Sequence, residues 1–180
     1  MNDFVPDGRG PTTDLDRTAL DGQALRRIIA DGYDSRWTRD YRHSPFTSES
    51  SNSYECPATL LGTSDAFPTG YREYSEVHDA TGPNNAGISQ FMVRYASATA
   101  ARQRYRAITA AAARCDSLDS VHVDRMPASW RFYSNTLQQP IGPFHTSYAI
   151  ITVGDLVCAS TARTPSRDDV ITITTRLCGA

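Results

Sequence analysis

The sequence predicts an α+β fold, a mainly antiparallel sheet with two helices packed on one face and two structural disulfides. The order of elements carries the prediction: a short helix, several strands, one long helix, then four or five strands. Helices and strands segregated in this way favour an antiparallel sheet over alternating β-α-β units. The cysteines add a second observation. Cys56, Cys115, Cys158 and Cys178 each abut the start or end of an element, which suits two disulfides in an oxidising compartment; the alternative is four buried free thiols. At 180 residues, with no internal repeat, the chain suits one domain over 18–180 behind a flexible tail at 1–17 rich in Gly, Pro and Asp.

Each element has its own signal. Ala19 to Gly32 reads as a short helix, with Asp21 as its cap, Leu25, Ile28 and Ile29 as an apolar stripe and Gly32 as a stop. Asp34 to Tyr41 alternates weakly and includes Trp37, and His43 to Tyr54 is a Ser-rich loop. Tyr71 to His78 alternates without an apolar face, which suggests an edge strand or one lining a groove. After the turn Thr81–Gly87, Ile88 to Tyr95 reads as a half-buried strand with Phe91, Val93 and Tyr95 on one face.

Ser97 to Cys115 is the clearest helix. Ser97 or Thr99 caps it, and Ala101, Tyr105, Ile108 and Ala112 form the core stripe, leaving Arg102, Arg104 and Arg106 to solvent. Val121–Arg125, Trp130–Thr136 and Thr146–Ala162 read as strands, the last split by a turn at Gly154-Asp155. Val170 to Leu177 alternates and is expected as the final strand, with Ile171, Ile173 and Leu177 on one face.

Composition excludes several function classes. A net charge of −2 with pI near 6.0 argues against a nucleic-acid partner held by bulk electrostatics. No apolar run is long enough to span a membrane, and the N-terminus has no signal-peptide core, so a leader or anchor is expected to be absent from this chain. All 18 basic residues are arginine. No zinc spacing, nucleophile elbow or phosphate-binding loop is present, and no metal or cofactor is expected. His78-Asp79 and His122-x-Asp124 are the pairs that an unrecognised hydrolase would use. The aromatics say more: Tyr71–His78 facing Trp130–Tyr133 would form a groove with Arg72, Tyr74, Trp130 and Arg131 as ligand contacts, suited to a sugar, an aromatic metabolite or a small anion.

The succession of landmarks resembles the PknH-like extracellular sensor domains of mycobacteria and related actinobacteria. The resemblance rests on Ala19-Leu-Asp-Gly-Gln-Ala-Leu, on Cys56 after its Ser-rich loop and on Gln90-Phe-Met-Val-Arg-Tyr. Ser97-Ala-Thr-Ala-Ala-Arg, the helix ending in Arg114-Cys115 and the pair Cys158 and Cys178 complete it. It implies a curved antiparallel sheet, two sequential disulfides, a cleft for an unknown ligand and no catalytic residues. It also implies a C-terminal helix beyond the last cysteine, which this chain, ending at Gly179-Ala180, is expected to lack. Ile171 and Ile173 would then find cover on the long helix or on a partner chain.

The expected pairing is Cys158 with Cys178, brought opposite by a final hairpin, and hence Cys56 with Cys115. The function expected is a non-enzymatic extracytoplasmic ligand-binding or sensor module of the cell envelope, monomeric or weakly dimeric, binding an unknown small ligand or an envelope protein. A secreted hydrolase with a His/Asp pair and an envelope interaction domain are the alternatives.

Overall fold

The computed structural model describes residues 10–29, 38–45, 64–81, 86–114, 121–125, 130–139, 142–163 and 167–179. The strands are β1 (Thr38–Arg42), β2 (Tyr71–Thr81), β3 (Ala86–Tyr95), β4 (Val121–Arg125), β5 (Trp130–Gln139), β6 (Gly142–Val153) and β7 (Leu156–Arg163). The helices are α1 (Asp14–Thr18), α2 (Gly22–Ile28), α3 (Ala98–Arg114) and α4 (Arg167–Leu177). Two antiparallel meanders, β1-β2-β3 and β4-β5-β6-β7, join through the antiparallel β3–β7 pair into one seven-stranded sheet of order β1-β2-β3-β7-β6-β5-β4.

Alternation along the strands sends one set of side chains to each face. On the first face, Phe91, Val93 and Tyr95 of β3 meet Tyr148 and Ile150 of β6, Val157 and Ala159 of β7, and the Ala101–Tyr105–Ile108–Ala112 stripe of α3. On the second face, Ile88 and Ala149 pack with Leu25 and Ile29 of the α2 segment and with Val170 and Ile173 of α4. Beside them Met92, Val77 and Ile151 pack with Leu15 of α1 and Leu177 of α4. The expectation of two helices on one face is therefore corrected: α3 covers one face, and α1, α2 and α4 cover the other.

Val170–Leu177, expected as a strand, lies within α4. Its β-branched residues favour a strand in isolation. Val170, Ile173, Thr174 and Leu177, however, fall at helical spacing, and these are the residues that α4 buries. Asp168 and Asp169 occupy the first turn, where they complement the positive end of the helix dipole. Thr174 and Thr175 donate their hydroxyls to the carbonyls of Val170 (2.9 Å) and Ile171 (2.8 Å), so the threonines are satisfied inside the helix. α4 thus covers the face that also carries α1 and α2, and Ile173 packs with the α2 segment rather than with α3.

The Cys158–Cys178 disulfide is present, with Cα atoms 5.9 Å apart. It joins β7 to the end of a helix rather than two strands of a hairpin. Cys56 and Cys115 lie outside the described residues, as does Trp37.

The tail boundary also moves. Thr13 caps α1 in a reciprocal box with Asp16, and Leu15 is 1% exposed, so residues 12–18 belong to the packed domain. Asp21 caps α2 and Ser97 caps α3, both as expected. Gly154 takes φ 58° in the β6–β7 turn. Gly87 lies so close to β2 that a Cβ there would clash with the Asp79 carbonyl oxygen.

Candidate functional site

β2 lacks an apolar face because its polar side chains are paired inside the domain, and it is not an edge strand, since β1 lies outside it. On the α1 side, the Asp16 carboxylate accepts from the N–H groups of Thr12 (2.7 Å) and Thr13 (2.9 Å) and from Ser75 Oγ (2.6 Å). His43 Nε2 lies 2.9 Å from the same carboxylate. Burial alone would raise the Asp16 pKa; the hydrogen bonds from Ser75, Thr13, His43 and Thr12 outweigh it and hold the group at about 2. On the α3 side, Arg42 pairs with Glu76, and Tyr74 donates its hydroxyl to the same carboxylate at 3.0 Å. Burial pushes the Glu76 pKa up, with Arg42 opposing.

The residues expected to form the ligand groove are not brought together. Trp130 and Arg131 begin β5, four strand positions from β2, roughly 19 Å at ordinary interstrand spacing. Their side chains are outside the described set. Tyr74 is 2% exposed and part of the core, while Arg72 is exposed at an irregularity in the β2–β3 register. The His78-Asp79 pair also separates. Asp79 turns to the α1–α2 side, where Arg39 holds it, and His78 Nδ1 lies 2.7 Å from Ser89 Oγ on the opposite face. Consecutive strand residues point to opposite faces, so neither can orient the other. The side chains of His122 and Asp124 are outside the described set.

A different constellation does assemble at the end of β2 that holds Arg72 and Tyr74. Tyr71 stands opposite Tyr95 in the β2–β3 register. The rings of Tyr71 and Tyr74 lie 5.8 Å apart and those of Tyr74 and Phe67 5.9 Å apart, giving a continuous aromatic floor. Arg104 reaches from α3 and donates Nε to the Ala66 carbonyl (2.6 Å) and Nη2 to the Asp65 carbonyl (2.5 Å). Tyr95 is 5% exposed, and its hydroxyl is buried without a hydrogen-bond partner. Burial pushes this phenol up to about 12, with Arg104 opposing. Burial likewise lowers the Arg104 pKa, and Tyr95 and Asp65 offset this only in part.

Sequence reasoning reached the neighbourhood through Tyr74 and Arg72 but missed Tyr95 and Arg104. Tyr95 reads as one more core aromatic on an alternating strand, and Arg104 as one of three solvated helix arginines. The available signal was the i, i+1 adjacency of Arg104 to the core residue Tyr105, which places it at the flank of the buried stripe.

The profile of the PknH-like extracellular domain matches residues 11–143. The chain belongs to that family. The crystal structure of the extracellular domain of PknH from Mycobacterium tuberculosis superposes with a TM-score of 0.76, covering 96% of this chain and 97% of that one at 14% identity. At that identity the likeness shows a shared fold, with both helical layers and the sheet within the superposed region. No curated protein matches the chain. As a PknH-like extracellular domain it is of an extracytoplasmic type, and among its described residues no helix is long and apolar enough to cross a membrane.

Proposed function

We propose that this PknH-like domain is an extracytoplasmic sensor module that binds a small molecule at the aromatic–arginine cluster between β2, β3 and the first half of α3. The observation that carries the reading is the Tyr95 hydroxyl, buried without a hydrogen-bond partner. Leaving such a donor unpaired costs about 1–3 kcal/mol, a cost that a ligand acceptor would offset. Tyr71 is half-buried at the rim and Arg72 exposed beside it, so both stand where a ligand would enter, while Tyr74 and Phe67 form the floor. The proposed role is recognition without catalysis. Ser75 is fully buried, and its hydroxyl is committed to Asp16. Ser89, which meets His78, is 8% exposed and lies on another part of the sheet.

Native mass spectrometry of the protein after incubation with a small-molecule extract of extracellular medium tests the reading. A discrete bound mass that is lost in Tyr71→Ala, with the fold retained by circular dichroism, is the expected result. A bound mass unaffected by Tyr71→Ala and by Arg104→Gln would move the site elsewhere.

A further inference from the structure

We infer that the Asp16–His43 contact is a pH-sensitive latch that holds the α1 segment on the second face of the sheet. The device is separate from the cluster between β2, β3 and α3. Asp16 performs two tasks. Its carboxylate accepts from the Thr13 N–H and closes the capping box of α1. It also accepts from Ser75 Oγ on β2 at 2.6 Å and meets His43 Nε2, one residue beyond β1, at 2.9 Å. One carboxylate thus ties the helix to two strands. The Asp16 side chain is fully buried, whereas that of His43 is 23% exposed and within reach of protons from solvent.

α1 depends on this tie. Five residues are too few for a helix that is stable by itself. Leu15 is its one apolar side chain, seated among Val77, Met92, Ile151 and Leu177. The other contacts of α1 with the sheet are polar, Leu15 N–H to Glu73 Oε1 at 3.4 Å and Thr18 Oγ1 to Met92 Sδ at 2.9 Å. Release of α1 withdraws Leu15 and uncovers the apolar side chains beneath it.

An ionised carboxylate only accepts, so His43 Nε2 is the donor. A proton taken up at Nδ1 leaves that hydrogen bond in place and adds a positive charge beside Asp16, which strengthens it. Docking of α1 is therefore favoured below the ordinary histidine range, about 6.5, and weakens as pH rises through it. Asp16, held at about 2, stays ionised throughout that window. Among the described residues, the other titratable groups of β1 and β2 on the α1 side are Tyr41, Glu73, paired with Arg94, and Asp79, paired with Arg39. Asp14 and Arg17 of α1 pair with each other in solvent. The Arg42–Glu76 pair and His78 lie on the opposite face.

Amide hydrogen exchange of the full chain, expressed as protection factors between about pH 5 and pH 8, tests the latch. In wild type, protection of the Thr13 and Leu15 amides is expected to fall about fivefold across that range, as for a partly exposed ion pair, while amides in the middle of α3 keep theirs. His43→Gln keeps a side-chain donor without a titrating proton and is expected to abolish the pH dependence. Asp16→Asn is expected to abolish it by removing the anion. His78→Gln, which alters the other histidine near β1, is expected to behave as wild type. Constant protection of α1 in wild type, a dependence of equal size in His43→Gln or Asp16→Asn, its loss in His78→Gln, or a fall shared equally by α3 overturns the latch.

Discussion

Arg39 grips both carboxylate oxygens of Asp79 across the β1–β2 pair, Nε to Oδ1 at 2.9 Å and Nη2 to Oδ2 at 2.8 Å. Nη2 also reaches the Leu20 carbonyl at 2.5 Å, and that carbonyl accepts from Gln90 Nε2 at 3.0 Å. One arginine thus binds a strand edge to the α1–α2 junction. The Asp79 side chain is 3% exposed and that of Arg39 21%. Removing the cation leaves a buried carboxylate unpaired, so Arg39→Met is expected to lower stability by about 3 kcal/mol, measured from urea denaturation midpoints. Replacing both partners, Arg39→Met with Asp79→Leu, is expected to recover most of the loss, because the desolvation penalty disappears with the pair.

Asp16 sets an acid limit. Its folded pKa lies below the ordinary carboxylate value, 3.8 against about 2, so its stabilisation is complete above the unfolded pKa and is lost as pH falls through the folded one. The shift corresponds to about 2 kcal/mol lost between roughly pH 4 and pH 2. Asp16→Asn is expected to be less stable than wild type at pH 6 and to lack this component of the acid transition, as read by chemical denaturation across that range. An acid limb of equal size in both proteins would remove Asp16 as its source.

The Cys158–Cys178 bond closes a segment with a sequence separation of 20. Chain entropy gives about 3 kcal/mol for a loop of that size. Cys158→Ala with Cys178→Ala is expected to lose about that much and to raise amide exchange first in α4, since the bond anchors that helix at its C-terminal end to β7. Uniformly raised exchange across the sheet would contradict this.

The helical state of 167–177 makes a positional prediction. Ile173 is fully buried and Ile171 only half-buried, although both would share one face of a strand. Ile173→Ala is expected to cost about 2–4 kcal/mol and Ile171→Ala clearly less, in parallel melts. Equal losses at the two positions would favour the alternating strand.

Most local elements were legible. Asp21 and Ser97 identify helix starts because short polar side chains satisfy free N–H groups, and that chemistry is local. The alternation of Phe91, Val93 and Tyr95 and the helical spacing of Ala101, Tyr105, Ile108 and Ala112 correctly name the residues that meet in one core. The candidate site was only partly legible. Tyr71, Arg72 and Tyr74 mark its strand, but the unmet hydrogen bond of Tyr95 exists only once β2, β3 and α3 have excluded water from it.

The sequence by itself determined an α+β chain, its helix caps, its strand faces, the Cys158–Cys178 pair and the family resemblance, because spacing, capping and cysteine placement are written along the chain. Tertiary structure decided the rest. Val170–Leu177 carries both an alternating pattern and a helical one, and burial of Val170, Ile173 and Leu177 against the sheet and α2 selects the helix. The polar character of β2 likewise acquires meaning only in the fold. Arg39, Arg42 and Asp16 lie 40, 34 and 59 residues from Asp79, Glu76 and Ser75, and such distant groups become neighbours only when strand order and register place them together.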